Sequence, residues 1–261
     1  MSILHSLILG KEGEDLLILH GFLGMGDNWK TYAKRINSLG YKVHLLDQRN
    51  HGRSFWNSSF SYSIMAKDIV AYCEKYNLEN ILVLGHSMGG KVAMHLACYH
   101  QELLKAFIVA DISPKKYDSH HQQILNGLSA LDFDKISSRA MADEKLSTWV
   151  VDASTRQFLL KNLYWKEQGK LGLRINIDVL KNVSKAIGEG LKNDAKSNKP
   201  CLFIKGQNSD YILDIDSPII KYHFPKATNY TVSNSGHWLH AENPEEFYRV
   251  TSEWLKKISF L

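Results

Sequence analysis

Short apolar runs recur along the chain, each closed by a polar or glycine-bearing turn. DLLILH (15–20), YKVHLLD (41–47), ILVL (81–84) and AFIVADI (106–112) are compact aliphatic blocks. Their residues hardly alternate with polar ones, which is the pattern of strands buried on both faces. Residues 2–9 read as a shorter, alternating strand, and 202–205 and 228–232 as two later strands. Apolar residues at helical spacing stand between them. Residues 29–39 form one such segment, stopped by Gly40, and 63–76 a second, carrying Ile64, Ile69, Val70 and Cys73. Residues 88–100 form a third and 245–258 a fourth, opened by Pro244. This alternation predicts an α/β fold with a mostly parallel central sheet flanked by helices.

One block departs from the alternation. Residues 114–198 lack strong strand runs, carry helical patterns over 124–131, 158–163 and 177–191, and are denser in charge. We read them as a helical cap, or lid, inserted between two core strands. The core is then residues 1–113 and 199–261, and the polar segment 191–200 is the return hinge.

Composition narrows the function classes. With 44% hydrophobic and 23% charged residues, the chain has an ordinary globular balance, and 261 residues bury a full core without staples. Its 32 basic and 27 acidic residues are interspersed, so the net charge of +5 makes no basic stripe and no nucleic-acid partner is expected. Cys73, Cys98 and Cys201 are odd in number and far apart. They fit neither a disulfide framework nor a metal site, and read as free thiols in a reducing, cytoplasmic compartment. No apolar stretch approaches the roughly 20 residues that span a bilayer. The first ten residues lack the basic region of a secretory signal.

The candidate chemistry sits where strands end. Gly85-His86-Ser87-Met88-Gly89 follows the apolar run 81–84 and opens a helical pattern. The spacing fits a turn sharp enough to lift one hydroxyl off the sheet edge, with small residues two positions either side so that strand and helix can pass closely. A serine hydroxyl needs a base. His237, between a strand and the last helix, is the leading candidate, and His240 competes with it. The other histidines read as packing or surface residues: His86 simply precedes the serine, and His95 reads as a satisfied core histidine. The base needs a carboxylate to hold its tautomer. Asp111 ends the strand 106–112, and Asp210 follows the strand 202–205; both stay open on the residues alone. An oxyanion hole needs two backbone N–H groups. Met88 supplies one and Phe22, in the loop His20-Gly21-Phe22-Leu23-Gly24, the other. The segment Asp47–Ser54, DQRNHGRS, reads as a structural loop pinned by Arg49.

Taken together, HGFLG (20–24), DQRNHGRS (47–54), GHSMGG (85–90) and GHWLHAENP (236–244) resemble the α/β-hydrolase superfamily along nearly the whole core. DQRNHGRS, VADISP (109–114) and GHWLHAE are most similar to the small YbfF-type bacterial esterases and their mitochondrial abhydrolase relatives. The resemblance implies the α/β-hydrolase fold, with the cap following the sixth core strand, and we place it after AFIVADI. It implies a small-molecule ester or acyl-thioester substrate, no metal and no organic cofactor. It implies the triad acid at the end of that sixth strand, which points to Asp111; the turn GQNSDY (206–211) holds Ser209 where many relatives carry the acid. The expected enzyme is a carboxylesterase or thioesterase working through Ser87, Asp111 and His237. Carbon–carbon bond hydrolysis or perhydrolysis on the same scaffold, and a non-catalytic binding module, are the rival readings. For a CoA thioester, Lys115, Lys116 and Arg53 are the cations within this pattern that could meet phosphates.

Overall fold

The computed structural model describes residues 2–118 and 121–259. Seven strands make one sheet: β1 (Ser6–Leu9), β2 (Asp15–Leu19), β3 (Lys42–Leu46), β4 (Ile81–His86), β5 (Leu104–Ala110), β8 (Cys201–Gly206) and β9 (Ala227–Val232). Their spatial order is β1-β3-β2-β4-β5-β8-β9. Only β1 runs antiparallel to its neighbour, β3; every other pairing is parallel.

The aliphatic runs are continuous because each strand feeds two cores. Successive side chains point to opposite faces of a strand. Leu82 and Leu84 of β4, with Ala106 and Ile108 of β5, pack on one face beneath α1 (Lys30–Asn37) and α10 (Pro244–Ser259). Ile81 and Val83, with Phe107 and Val109, pack on the other against α2 (Tyr62–Tyr76), α3 (Met88–Tyr99) and α9 (Ser217–His223). Burying each such Leu, Ile, Val or Phe contributes about 1.5–3 kcal/mol, before the entropy of ordering is subtracted. The parallel strands all present their carboxyl ends at one edge, where Ser87, Asp111 and the loop after Leu19 emerge.

Between β5 and β8 the chain leaves the sheet, after the fifth strand in chain order among the described residues where the sixth was expected, and gathers its own apolar cluster. It contains α4 (Gln122–Ser129), α5 (Arg139–Ser147) and α6 (Ala153–Leu160), then α7 (Ile177–Leu180) and α8 (Ser184–Ile187). Leu125, Leu146, Leu160, Leu173 and Leu180 are its buried centre, and Leu23 joins it from the core loop. Two further sequence expectations fail here. The block expected to lack strand runs holds a hairpin, β6 (Leu163–Glu167) and β7 (Lys170–Leu173), turning at Gly169 with φ +80°. Its strands are four and five residues long and half exposed, too short to show a period. The pattern over 177–191 is two single-turn helices followed by an extended return. Gly188 accepts from the Tyr117 N–H at 2.8 Å, and the Leu191 N–H donates to Pro114 at 2.9 Å. A Cβ on Gly188 would lie 2.2 Å from the Tyr117 carbonyl, so the outgoing and returning chains touch backbone to backbone. Among the described residues no helix is long and apolar enough to cross a membrane. The three cysteines are unpaired, with Cys73 and Cys201 buried.

Candidate active site

The turn between β4 and α3 has the strain that its glycine spacing foretells. Ser87 sits at φ +52°, ψ −116°, a conformation that costs a non-glycine residue about 1–3 kcal/mol. Its N–H is held by the Ala110 carbonyl at 2.9 Å, and its carbonyl accepts from Lys91 N–H at 3.1 Å. The flanking glycines leave no room for a side chain. A Cβ on Gly89 would lie 2.2 Å from the Leu19 carbonyl oxygen, and one on Gly85 2.2 Å from that of Gly89. The first turn of α3 therefore rides directly on the end of β2.

Three distant residues converge on this turn. His237 Nε2 lies 3.0 Å from Ser87 Oγ, and His237 Nδ1 lies 2.8 Å from Asp111 Oδ2. With a carboxylate as its partner, Nδ1 carries the proton, which leaves the Nε2 lone pair for the serine hydroxyl. Asp111 is fully buried and follows β5 directly; its Oδ1 accepts from Gly206 N–H at 3.1 Å, and its Oδ2 also accepts from the Ser209 hydroxyl. Asp210 is exposed, and the imidazole's carboxylate partner is Asp111. The GQNSDY turn thus sends Ser209 to brace the aspartate and leaves Asp210 in solvent. His240 does not approach Ser87 as a base: it stacks on Trp29, ring centroids 4.0 Å apart, and burial pushes its pKa down to about 3.

The loop His20–Gly24 closes against this centre. Gly21 packs on the His86 ring so closely that a Cβ would meet Nδ1 at 2.7 Å. Leu23, at φ +60°, donates its N–H to His51 Nε2 at 3.2 Å, and its carbonyl accepts from Asn162 of the insertion at 2.8 Å. The N–H groups of Phe22 and Met88 find no acceptor among the described residues, and both residues line a cavity with Ser87. Met88 begins α3, where a helix leaves its first N–H groups free.

Sequence reasoning missed three neighbours. His86 is more than the residue before the serine: its Nε2 donates to the His237 carbonyl at 2.8 Å, tying β4 to the loop that carries His237. Tyr211 stacks on the His237 ring, with centroids 3.8 Å apart and planes 16° apart. Ser209 is the third, and its occupation of the usual acid slot was the one signal available. His95 differs from its expected state, since neither ring nitrogen has a hydrogen-bond partner among the described residues. The 47–54 loop is structural, as expected: Arg49 clamps Asp68 through Nε at 2.5 Å and Nη2 at 2.7 Å.

Two buried histidines beneath the site make the fold acid-sensitive. His20 and His51 are almost wholly enclosed, and burial lowers their pKa to about 4 and about 3. Unfolded, each titrates near 6.5. Between those values the unfolded chain binds more protons, so stability is complete above about pH 6.5 and falls as pH drops toward 3–4, by on the order of 1 kcal/mol per pH unit for each residue. We expect the melting temperature to fall between about pH 7 and pH 5; a flat profile in differential scanning fluorimetry contradicts this.

Comparison with known proteins shows the family of the chain. The family described as alpha/beta hydrolase fold matches residues 16–244. The chain is 33% identical over 251 residues to the sn-1-specific diacylglycerol lipase ABHD11 of Xenopus laevis, covering 94% of this chain and 80% of that one. It is 28% identical over 241 residues to the esterase YbfF of Escherichia coli, covering 92% of each. The solved structure of a marine microorganism esterase superposes with a TM-score of 0.93 at 40% identity, over 97% of this chain and 99% of that one.

Proposed function

The chain belongs to the alpha/beta hydrolase family, and from that premise we propose a serine hydrolase that cleaves carboxylic esters of small to medium acyl groups. One observation carries the reading: the unbroken hydrogen-bonded series Ser87–His237–Asp111 mounted on a strained turn. His237 takes the Ser87 proton as Oγ attacks the carbonyl carbon. The N–H groups of Phe22 and Met88 hold the oxygen as it gains charge. The imidazolium, braced by Asp111, then gives its proton to the departing alcohol, and water repeats the sequence on the acyl-enzyme. The segment between β5 and β8 acts as a cap over this centre, consistent with Asn162 gripping the Phe22–Leu23 loop.

Esters are favoured over CoA thioesters by the state of two of the three cations, Lys116 being exposed. Lys115 is paired with Asp216 at 2.7 Å, and Arg53 lies 3.6 Å from Asp27, so both already face a carboxylate. The test is hydrolysis of p-nitrophenyl acetate and butyrate by the purified protein. Saturable turnover is expected; release no faster than in buffer, across both esters, contradicts the proposal.

A further inference from the structure

Two cavities of very different size flank Ser87. The larger, about 320 Å³, is lined by His237 together with Trp29, Ile124, Phe158 and Trp238. The smaller, about 20 Å³, lies on the Met88 side and is walled by Tyr62, Ile112, Tyr117, Asp118 and Ile187. Phe22, Ser87, His121 and Tyr211 line both.

The direction of proton transfer decides which half of a substrate enters which cavity, given the serine-hydrolase reading above. When the tetrahedral species collapses, the bond from carbon to the alcohol oxygen breaks, and that oxygen takes the proton from His237 Nε2. The alcohol half must therefore lie on the His237 side, and His237 lines only the larger cavity of the two. The carbonyl oxygen faces the Phe22 and Met88 N–H groups. The remaining substituent, the acyl chain, is left with the smaller space. A space of about 20 Å³ is near the minimum that admits one water, enough for a methyl group or little more. The larger one falls at the lower end of ordinary small-molecule sites.

The larger cavity also sets the chemistry of the alcohol. Among the described residues no Lys, Arg, Asp or Glu lines it. Its interior histidines, His20 and His240, are held neutral by burial. Charged or phosphate-bearing groups would lose their hydration there with no counter-charge.

We propose that this protein selects its substrates on the alcohol side: among small to medium acyl groups it prefers the smallest, of acetyl size, joined to a bulky, uncharged, apolar alcohol. Benzyl acetate and methyl phenylacetate are isomers that carry the same phenyl bulk on opposite sides of the ester. Benzyl acetate is expected to show kcat/KM about tenfold or more above methyl phenylacetate, the scale on which apolar pockets discriminate. Ile187→Ala, which widens the small cavity, should narrow that ratio by raising turnover of methyl phenylacetate. Leu159→Trp, which intrudes on the large one, should narrow it by depressing benzyl acetate. Equal rates, or the reverse preference, in the wild-type protein overturn the inference. So does failure to cleave either isomer, and labelling of Ser87 by a fluorophosphonate in the same sample then tells whether the hydrolase reading itself survives.

Discussion

Ser87→Ala should abolish ester turnover, lowering kcat on the order of 10⁶-fold, while leaving the fold intact. The loss is large because the hydroxyl is the only atom that can form the acyl-enzyme; what remains is the acceleration from the two N–H groups and from binding. The fold survives because alanine keeps the Cβ that serine already holds at φ +52°. The turn's hydrogen bonds, Ser87 N–H to Ala110 and Lys91 N–H to Ser87, use only backbone. Kinetics on p-nitrophenyl acetate, with the melting temperature measured beside them, check both halves. An active Ser87→Ala protein contradicts the mechanism, and an unfolded one contradicts the account of the turn.

The second large effect separates the two acidic candidates. Asp111→Asn should lower kcat by roughly 10⁴-fold, the size seen when an amide replaces a triad acid, and Asp210→Asn should leave it within about twofold. The reason lies in the partners of Asp111. Gly206 N–H, the Ser209 hydroxyl and His237 Nδ1 all donate to its two oxygens. An amide has one oxygen and one NH₂. The buried Gly206 N–H needs an acceptor, so the amide oxygen stays with it and the NH₂ turns toward His237. Two donors cannot face each other, so the imidazole proton moves to Nε2, and the nitrogen beside Ser87 can no longer accept. Asp210 lies in solvent and holds nothing in place. Comparable losses in both variants, or a larger loss in Asp210→Asn, contradict the assignment.

The central sheet was legible because buried parallel strands demand aliphatic residues on both faces; the four main apolar runs are β2, β3, β4 and β5. Ser87 was legible for a related reason: Gly85 and Gly89 stand where backbone meets backbone, and sequence records that as glycine. What sequence concealed was contact between distant segments. Nothing in GHSMGG announces that His86 will donate to a carbonyl 151 residues away. Nothing in GQNSDY announces that Ser209 will reach Asp111 while Tyr211 lies flat on His237. The choice between Asp111 and Asp210 depended on which of two adjacent strand ends turns its side chain inward, a matter of one residue's backbone. Asp111 turns at φ +53°. The hairpin of the insertion was hidden because its strands are only five and four residues long, and a period needs length to show.

The reactive hydroxyl is the claim on which the rest stands, and a covalent probe reads it without any assumption about substrate. The protein is treated with a fluorophosphonate, digested, and the peptides weighed. One adduct per chain, on the peptide that contains Ser87 and absent after His237→Ala, is the predicted result. No adduct on the folded protein, or an adduct on a different serine, would contradict it.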